Sequence, residues 1–263
     1  MPHFQKTFEA YKDKGVSFFA VEGDGLTKYE NQAFAGEWGY TFPIVTLADS
    51  KLSGYDMVTM PIVFVINSFG RVVFQGNGDY EKYIESSLED LKYPYLGKDE
   101  VVGDAEKAAE AFGKGEYAKA KELANELLST EPGDDVAADA KFIVTRTDSI
   151  ASDWQAKIDA MKGERRFDEA TTYLEKLADH FKGSEIGDKA DEELKALKKD
   201  KDAKAESKAR ASLAKTLAAN KKMKTKEDKL SALYKFYEKN EGTAAADDAK
   251  AMAEAIKNSS KYK

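Results

Sequence analysis

The apolar residues of this chain change their spacing once, near Pro94-Tyr95-Leu96-Gly97, and that change limits the folds open to it. Before it, β-branched and aromatic residues come in short runs punctuated by Gly and Pro. After it, Ala, Lys, Glu, Asp and Leu dominate, and apolar side chains recur three or four apart, the period of an amphipathic helix. The expected organisation is an α/β part at residues 1–93, a linker at 94–103 and an all-α repeat part at 104–260. The 263 residues, 42% of them apolar, are enough for two ordinary cores. Charged side chains make up 34%, which points to long solvated helical faces.

Within the first part, Phe4, Phe8 and Tyr11 share one helical face, and the helix is expected to stop at Gly15. Val16–Val21 reads as a buried strand, 31–36 as a helix, and Ile44-Val45 as a short extended segment after Pro43. Ile62–Ile66 is the strongest strand signal, and Asn67-Ser68-Phe69-Gly70 turns it into a second strand at 71–75. Residues 79–91 return to helix. The order α-β-α-β-β-α describes helices packed on a small sheet.

The second part carries a weak internal repeat. Tyr117, Ala120, Leu127, Gly133, Val136 and Ala140 are echoed by Phe167, Ala170, Leu177, Gly183, Ile186 and Ala190, with a fainter copy through Leu233, Phe236, Gly242, Ala249 and Ile256. Each unit reads as a helix, a Gly break and a second helix. One long helix is expected over residues 134–162, and the stretch from Ile186 to Asn220 is expected to continue unbroken in the same way. Such pairs cannot bury their apolar stripes alone, so stacking is the expected solution.

The chain contains no cysteine, which removes thiolate nucleophiles, disulfides and cysteine metal sites together. Its 41 cationic and 48 acidic side chains are interspersed, giving a net charge of −7 and no broad basic surface for nucleic acid. The Lys-rich run from Lys198 to Lys208 is broken by Asp200, Asp202 and Glu206 and reads as a solvated face. No apolar run approaches the roughly 18 residues of a membrane span, and the first residues lack the apolar core of a signal peptide.

A family resemblance emerges from an ordered series: Lys14-Gly15-Val16, Val21, Asp24, Thr41-Phe42-Pro43-Ile44, Asp49, Tyr55, Val58, Pro61, Phe64-Val65-Ile66-Asn67 and Gly70-Arg71-Val72-Val73. It resembles the later two-thirds of a TlpA/ResA-type redoxin, a thioredoxin-like group of thiol-disulfide oxidoreductases. The resemblance implies that Met60-Pro61 borders the substrate groove through a cis peptide bond, the other reading being a trans proline that opens a strand. It further implies that the Trp-Cys-x-x-Cys segment and the central strand before it belong ahead of Met1, with Met1 as a true initiator the competing reading. Without that strand, two buried strands would each carry an unpaired edge. An extracytoplasmic bacterial setting is implied by the resemblance alone. The repeats resemble tetratricopeptide-like modules, with Glu116-Tyr117-x-x-Ala120 opening a helix, and imply a protein partner.

Other candidate chemistry has a structural reading beside it. His180 ends a helix and suits a dipole contact. Gly23-Asp24-Gly25 and Gly76-Asn77-Gly78 lack a phosphate-loop pattern. Asp188, Asp191, Glu192 and Glu193 open a helix, where carboxylates favour the dipole. Trp38 beside Gly39-Tyr40 reads as groove lining or as a loop anchor, and Trp154 as core. No catalytic residue, cofactor or metal site is expected. Two function classes follow: a fragment of a thiol-disulfide oxidoreductase, or a non-catalytic scaffold acting through its repeats.

Overall fold

The computed structural model describes residues 2–46, 61–260 and 262. Its first part runs α1 (Pro2–Tyr11), β1 (Ala20–Glu22), α2 (Lys28–Trp38), β2 (Ile44–Thr46), β3 (Val63–Ile66), β4 (Val72–Gly76) and α3 (Glu81–Glu89). The order is the predicted α-β-α-β-β-α with one strand more, because the short extended segment at Ile44-Val45 pairs with β1 as a strand of its own. Thr27 starts α2 with a reciprocal cap: its hydroxyl accepts from Glu30 N–H, and the Glu30 carboxylate accepts from Thr27 N–H. The hairpin turn is set by Asn67, whose side-chain oxygen accepts from the amides of Phe69 and Arg71 while Gly70 takes φ +75°.

The strands form two separate ladders. β1 pairs in parallel with β2, Val21 opposite Val45, and β3 pairs antiparallel with β4, Val65 opposite Phe74. The predicted Val16–Val21 strand shrinks to its last residues plus Glu22, because only 20–22 find a partner. The small core around Val65, Tyr80 and Ile84 draws in Phe4, Val16, Phe18 and Phe74.

Beyond residue 93 the described chain is helical: α4 (Glu106–Gly113), α5 (Tyr117–Ser129), α6 (Asp134–Gly163), α7 (Phe167–His180), α8 (Glu185–Leu197), α9 (Lys201–Asn220), α10 (Lys226–Lys239) and α11 (Ala244–Asn258). The long helix expected over 134–162 is α6. The unbroken helix expected from Ile186 to Asn220 is not formed. Its break falls at Asp200, which adopts an extended conformation and accepts the Ala203 N–H to start α9. In the sequence Asp200 reads as a charge interrupting a lysine run; in the fold its short side chain supplies a cap.

Residues 94–103 are tied down. Leu96 and Val101 are buried in the core of the helical part, and the buried Asp139 carboxylate accepts from Val102 N–H and pairs with Lys98. Tyr95 takes φ +65°, its hydroxyl accepting from Gly15 N–H and its carbonyl accepting from the Arg146 guanidinium.

A second core joins the two parts. Ala33 of α2 is fully buried with Leu213, Leu217, Leu233, Met252 and Ile256. The approach of α2 to α9 needs Gly36, since a Cβ there would lie 2.5 Å from Leu217 Cδ1. Gly36→Val is therefore expected to destabilise the fold by about 1–3 kcal/mol, as overpacking of a tight contact does. Thermal unfolding checks this, and an unchanged transition would mean that α2 is not seated on α9.

Candidate functional site

Of the two residues expected to border a substrate groove, only Pro61 is among the described residues, at the entrance to β3. Pro61 is exposed there, two residues before the first ladder residue, Val63. Met60 lies outside the described residues, as do Asp49, Tyr55 and Val58 of the resemblance.

Helix α1 spans the ground between the two ladders. The Phe4 ring centroid is 5.7 Å from Phe18, which leads into β1, 4.8 Å from Phe42, and 6.5 Å from Tyr80 at the start of α3. Edge-on aromatic pairs of this kind contribute about 0.5–1.5 kcal/mol each beyond their buried area. The buried Thr7 hydroxyl donates to Glu81 at 2.7 Å, and His3 Nε2 lies 2.9 Å from the same carboxylate. Burial pushes the Glu81 carboxyl up, but the Thr7 hydrogen bond, its own helix N-terminus and His3 outweigh it and leave the group below its usual range. On the next turn Tyr11 donates to Glu85 at 2.7 Å, which raises its phenol to about 12.

α1 thus bridges two strand pairs that share no ladder among the described residues. Among the described residues β1 pairs only with β2, and β3 only with β4. Phe19, Val21 and Ile66 are 58%, 36% and 48% exposed, although the sequence marks them as core strand positions. Among the described residues, most of the large apolar side chains left in solvent belong to this first part.

The remaining candidates have internal partners. The Glu22 carboxylate accepts from the amides of Asp24, Gly25 and Leu26, so that Gly-rich loop is closed on its own strand. The His180 ring lies across from its helix, 2.7 Å from the Gly115 carbonyl and stacked on Tyr117. Trp154 packs edge-on against Phe181 in the same cluster, as its place in the apolar stripe predicts. In the acidic group, Asp191 pairs with Lys195 and Glu193 with Lys162. Among the described residues no group of three or more His, Asp and Glu is placed to hold a metal, and no helix is long and apolar enough to cross a membrane. Lacking cysteine, the chain carries no thiol for disulfide exchange.

Compared with known proteins, a stretch of 83 residues is 31% identical to the thiol-disulfide oxidoreductases ResA of Bacillus thuringiensis (strain Al Hakam) and Bacillus anthracis, covering 31% of this chain and 47% of each relative. The ResA of Halalkalibacterium halodurans is 30% identical over 94 residues, 35% of this chain and 53% of that protein. The chain spans about half the length of the curated relatives it matches. No family model and no solved structure matches. These findings support, over part of the chain only, a similarity to thiol-disulfide oxidoreductases of the thioredoxin-like class. The particular relative it is similar to is ResA, distantly and in part.

Proposed function

We propose that residues 1–93 are the thioredoxin-like region of a thiol-disulfide oxidoreductase, completed by a strand between β1 and β3 that bears the reactive cysteines. The observation that carries the reading is the partial similarity to ResA, supported by two separate ladders bridged by α1 and by the exposed Phe19, Val21 and Ile66. Pro61, at the mouth of β3, borders the groove in which a thiol or disulfide substrate lies. Without cysteine, the 263 residues present do not perform the exchange themselves. The helix pairs α5–α6, α7–α8 and α10–α11 support a tetratricopeptide-like reading of the second part, with protein binding as its role.

The test is the N-terminal sequence and intact mass of the native polypeptide from its source cells. The expected product is longer, with an apolar strand and Cys-x-x-Cys in frame ahead of Met1, and it protects the β1 and β3 amides from hydrogen exchange. A native product that starts at Met1 would overturn the proposal.

A further inference from the structure

We propose that the corner between α9 and α10 is a docking site for an acidic protein segment carrying an aromatic or aliphatic residue. Three observations lead there, none of them dependent on the thioredoxin-like reading. First, from Ser207 to Lys226 the chain has seven cationic side chains and no carboxylate, in a protein whose net charge is −7. The interspersion of charge seen elsewhere fails over these twenty residues.

Second, these cations are largely unneutralised. On α8, lysines pair with carboxylates one turn away, Lys189 with Glu185 and Lys195 with Asp191. Arg210 is held by Glu206 and Asp248, and Lys226 donates to the Ser259 carbonyl. Among the described residues, Lys208, Lys215, Lys222 and Lys224 are exposed and have no ion-pair partner. Four free ammonium groups in one stretch create a local positive potential that steers an anionic partner.

Third, a cleft of about 650 Å³ opens beside the run, its lining mixing Phe34, Trp38 and Tyr262 with charged side chains, among them Lys221. Trp38 is 43% exposed, and the Lys221 ammonium sits 4.1 Å from its ring centroid. A half-exposed indole under a cation is a platform for an aromatic or aliphatic side chain beside a carboxylate. The inner wall is neutralised, since Glu37 is buried and bonded to both Lys229 and Tyr262.

Asp24 also lines the cleft, so the cleft itself suits an apolar residue, with the carboxylates of the partner lying outside on the lysines. Size and charge favour a short protein segment over other polyanions. A long nucleic acid or a membrane surface would extend past this corner onto a surface of the opposite preference.

The experiment uses the full chain and a synthetic twelve-residue peptide of Asp and Glu with central Phe and Leu, read by the fluorescence of Trp38 and by anisotropy of the labelled peptide. Saturable binding that weakens with salt is expected. K222E/K224E is expected to weaken it about tenfold or more, the scale of one or two charge-assisted contacts, with an unchanged circular dichroism spectrum, whereas K189E on α8 leaves it unaltered. W38F is expected to abolish the fluorescence response. The proposal is overturned by no saturable binding at low salt, or by equal binding to the charge-reversed chain. A single-stranded oligonucleotide or phosphatidylglycerol vesicles binding more tightly than the peptide would overturn it as well.

Discussion

Glu206→Ala is expected to remove about 3–5 kcal/mol from the stability of the C-terminal helices, the effect of stripping one partner from a buried charged network. Helix α11 opens with Ala244-Ala245-Ala246, residues with no side-chain acceptor for the amides that every helix start leaves unbonded. Thr243 takes the Ala246 N–H. The amides of Ala244 and Ala245 instead donate, each at 2.8 Å, to the two carboxylate oxygens of Glu206, a fully buried residue of α9. A carboxylate also suits the positive end of the helix dipole. Arg165 and Arg210 approach the same carboxylate at 3.9 and 3.5 Å, and Arg165 donates to the Gly242 carbonyl. Alanine would leave the buried Ala245 amide and the half-buried Ala244 amide without their acceptor, Arg165 without this carboxylate, and Arg210 with Asp248 alone. Glu206→Gln keeps one oxygen and is expected to lose about 2 kcal/mol, within the range of charge-assisted hydrogen bonds. Urea unfolding followed by circular dichroism, with hydrogen exchange at Ala244 and Ala245, reads both effects. An alanine variant within about 1 kcal/mol of the parent would show that water substitutes for this cap, and the argument fails.

Local pattern carried far in this chain, and contacts between distant segments did not. Phe4, Phe8 and Tyr11 mark α1 because helical periodicity is written in neighbouring residues, and the seven-residue rhythm from Val136 to Met161 marks α6. The hairpin was legible because Asn67 and Gly70 are turn formers for identifiable reasons. The extent of β1 was not, since a strand ends where its partner ends, and the partner lies more than twenty residues away. The break at Asp200 was missed because aspartate serves equally as a surface charge and as a cap. For the candidate site, the sequence marks Val21 and Ile66 as core positions but says nothing of their exposure, which is a property of the whole sheet. Nor does any local signal show α2 facing α9 and α11, because Ala33 and Gly36 are ordinary helix residues until a partner is placed against them. The cation run from Ser207 to Lys226 can be counted in the sequence, but a reading by net charge and overall interspersion passes over it.

That contact between the two parts sets the second large expectation, that Lys229→Met alone destabilises the chain by about 3–5 kcal/mol while Glu37→Leu/Lys229→Met recovers most of the loss. Glu37 is on α2, Lys229 on α10 and Tyr262 near the C-terminus. The carboxylate is 3.1 Å from the Lys229 ammonium and accepts from the Tyr262 hydroxyl at 2.5 Å, with all three side chains buried. Lys229 also lies 5.1 Å from the Tyr262 ring centroid. Removing the cation strands a carboxylate in an apolar interface, whereas removing both charges leaves apolar side chains of similar size in contact. A double-mutant cycle in urea isolates the coupling. The pH dependence has a definite sign. Burial and the Glu37 hydrogen bond push the Tyr262 phenol above its ordinary value, so the folded state holds that proton more tightly than the unfolded one. The resulting stability is fully present below the ordinary tyrosine value of about 10 and drains away as pH rises through the raised folded value. Thermal midpoints are therefore expected to fall above that pH in the parent and to fall less in Tyr262→Phe. If Lys229→Met is instead neutral, Glu37 reaches water and the two parts move independently. A loss that the double variant recovers makes α2 and the C-terminal helices one cooperative unit, in which the α/β part shares a core with the helices that follow it.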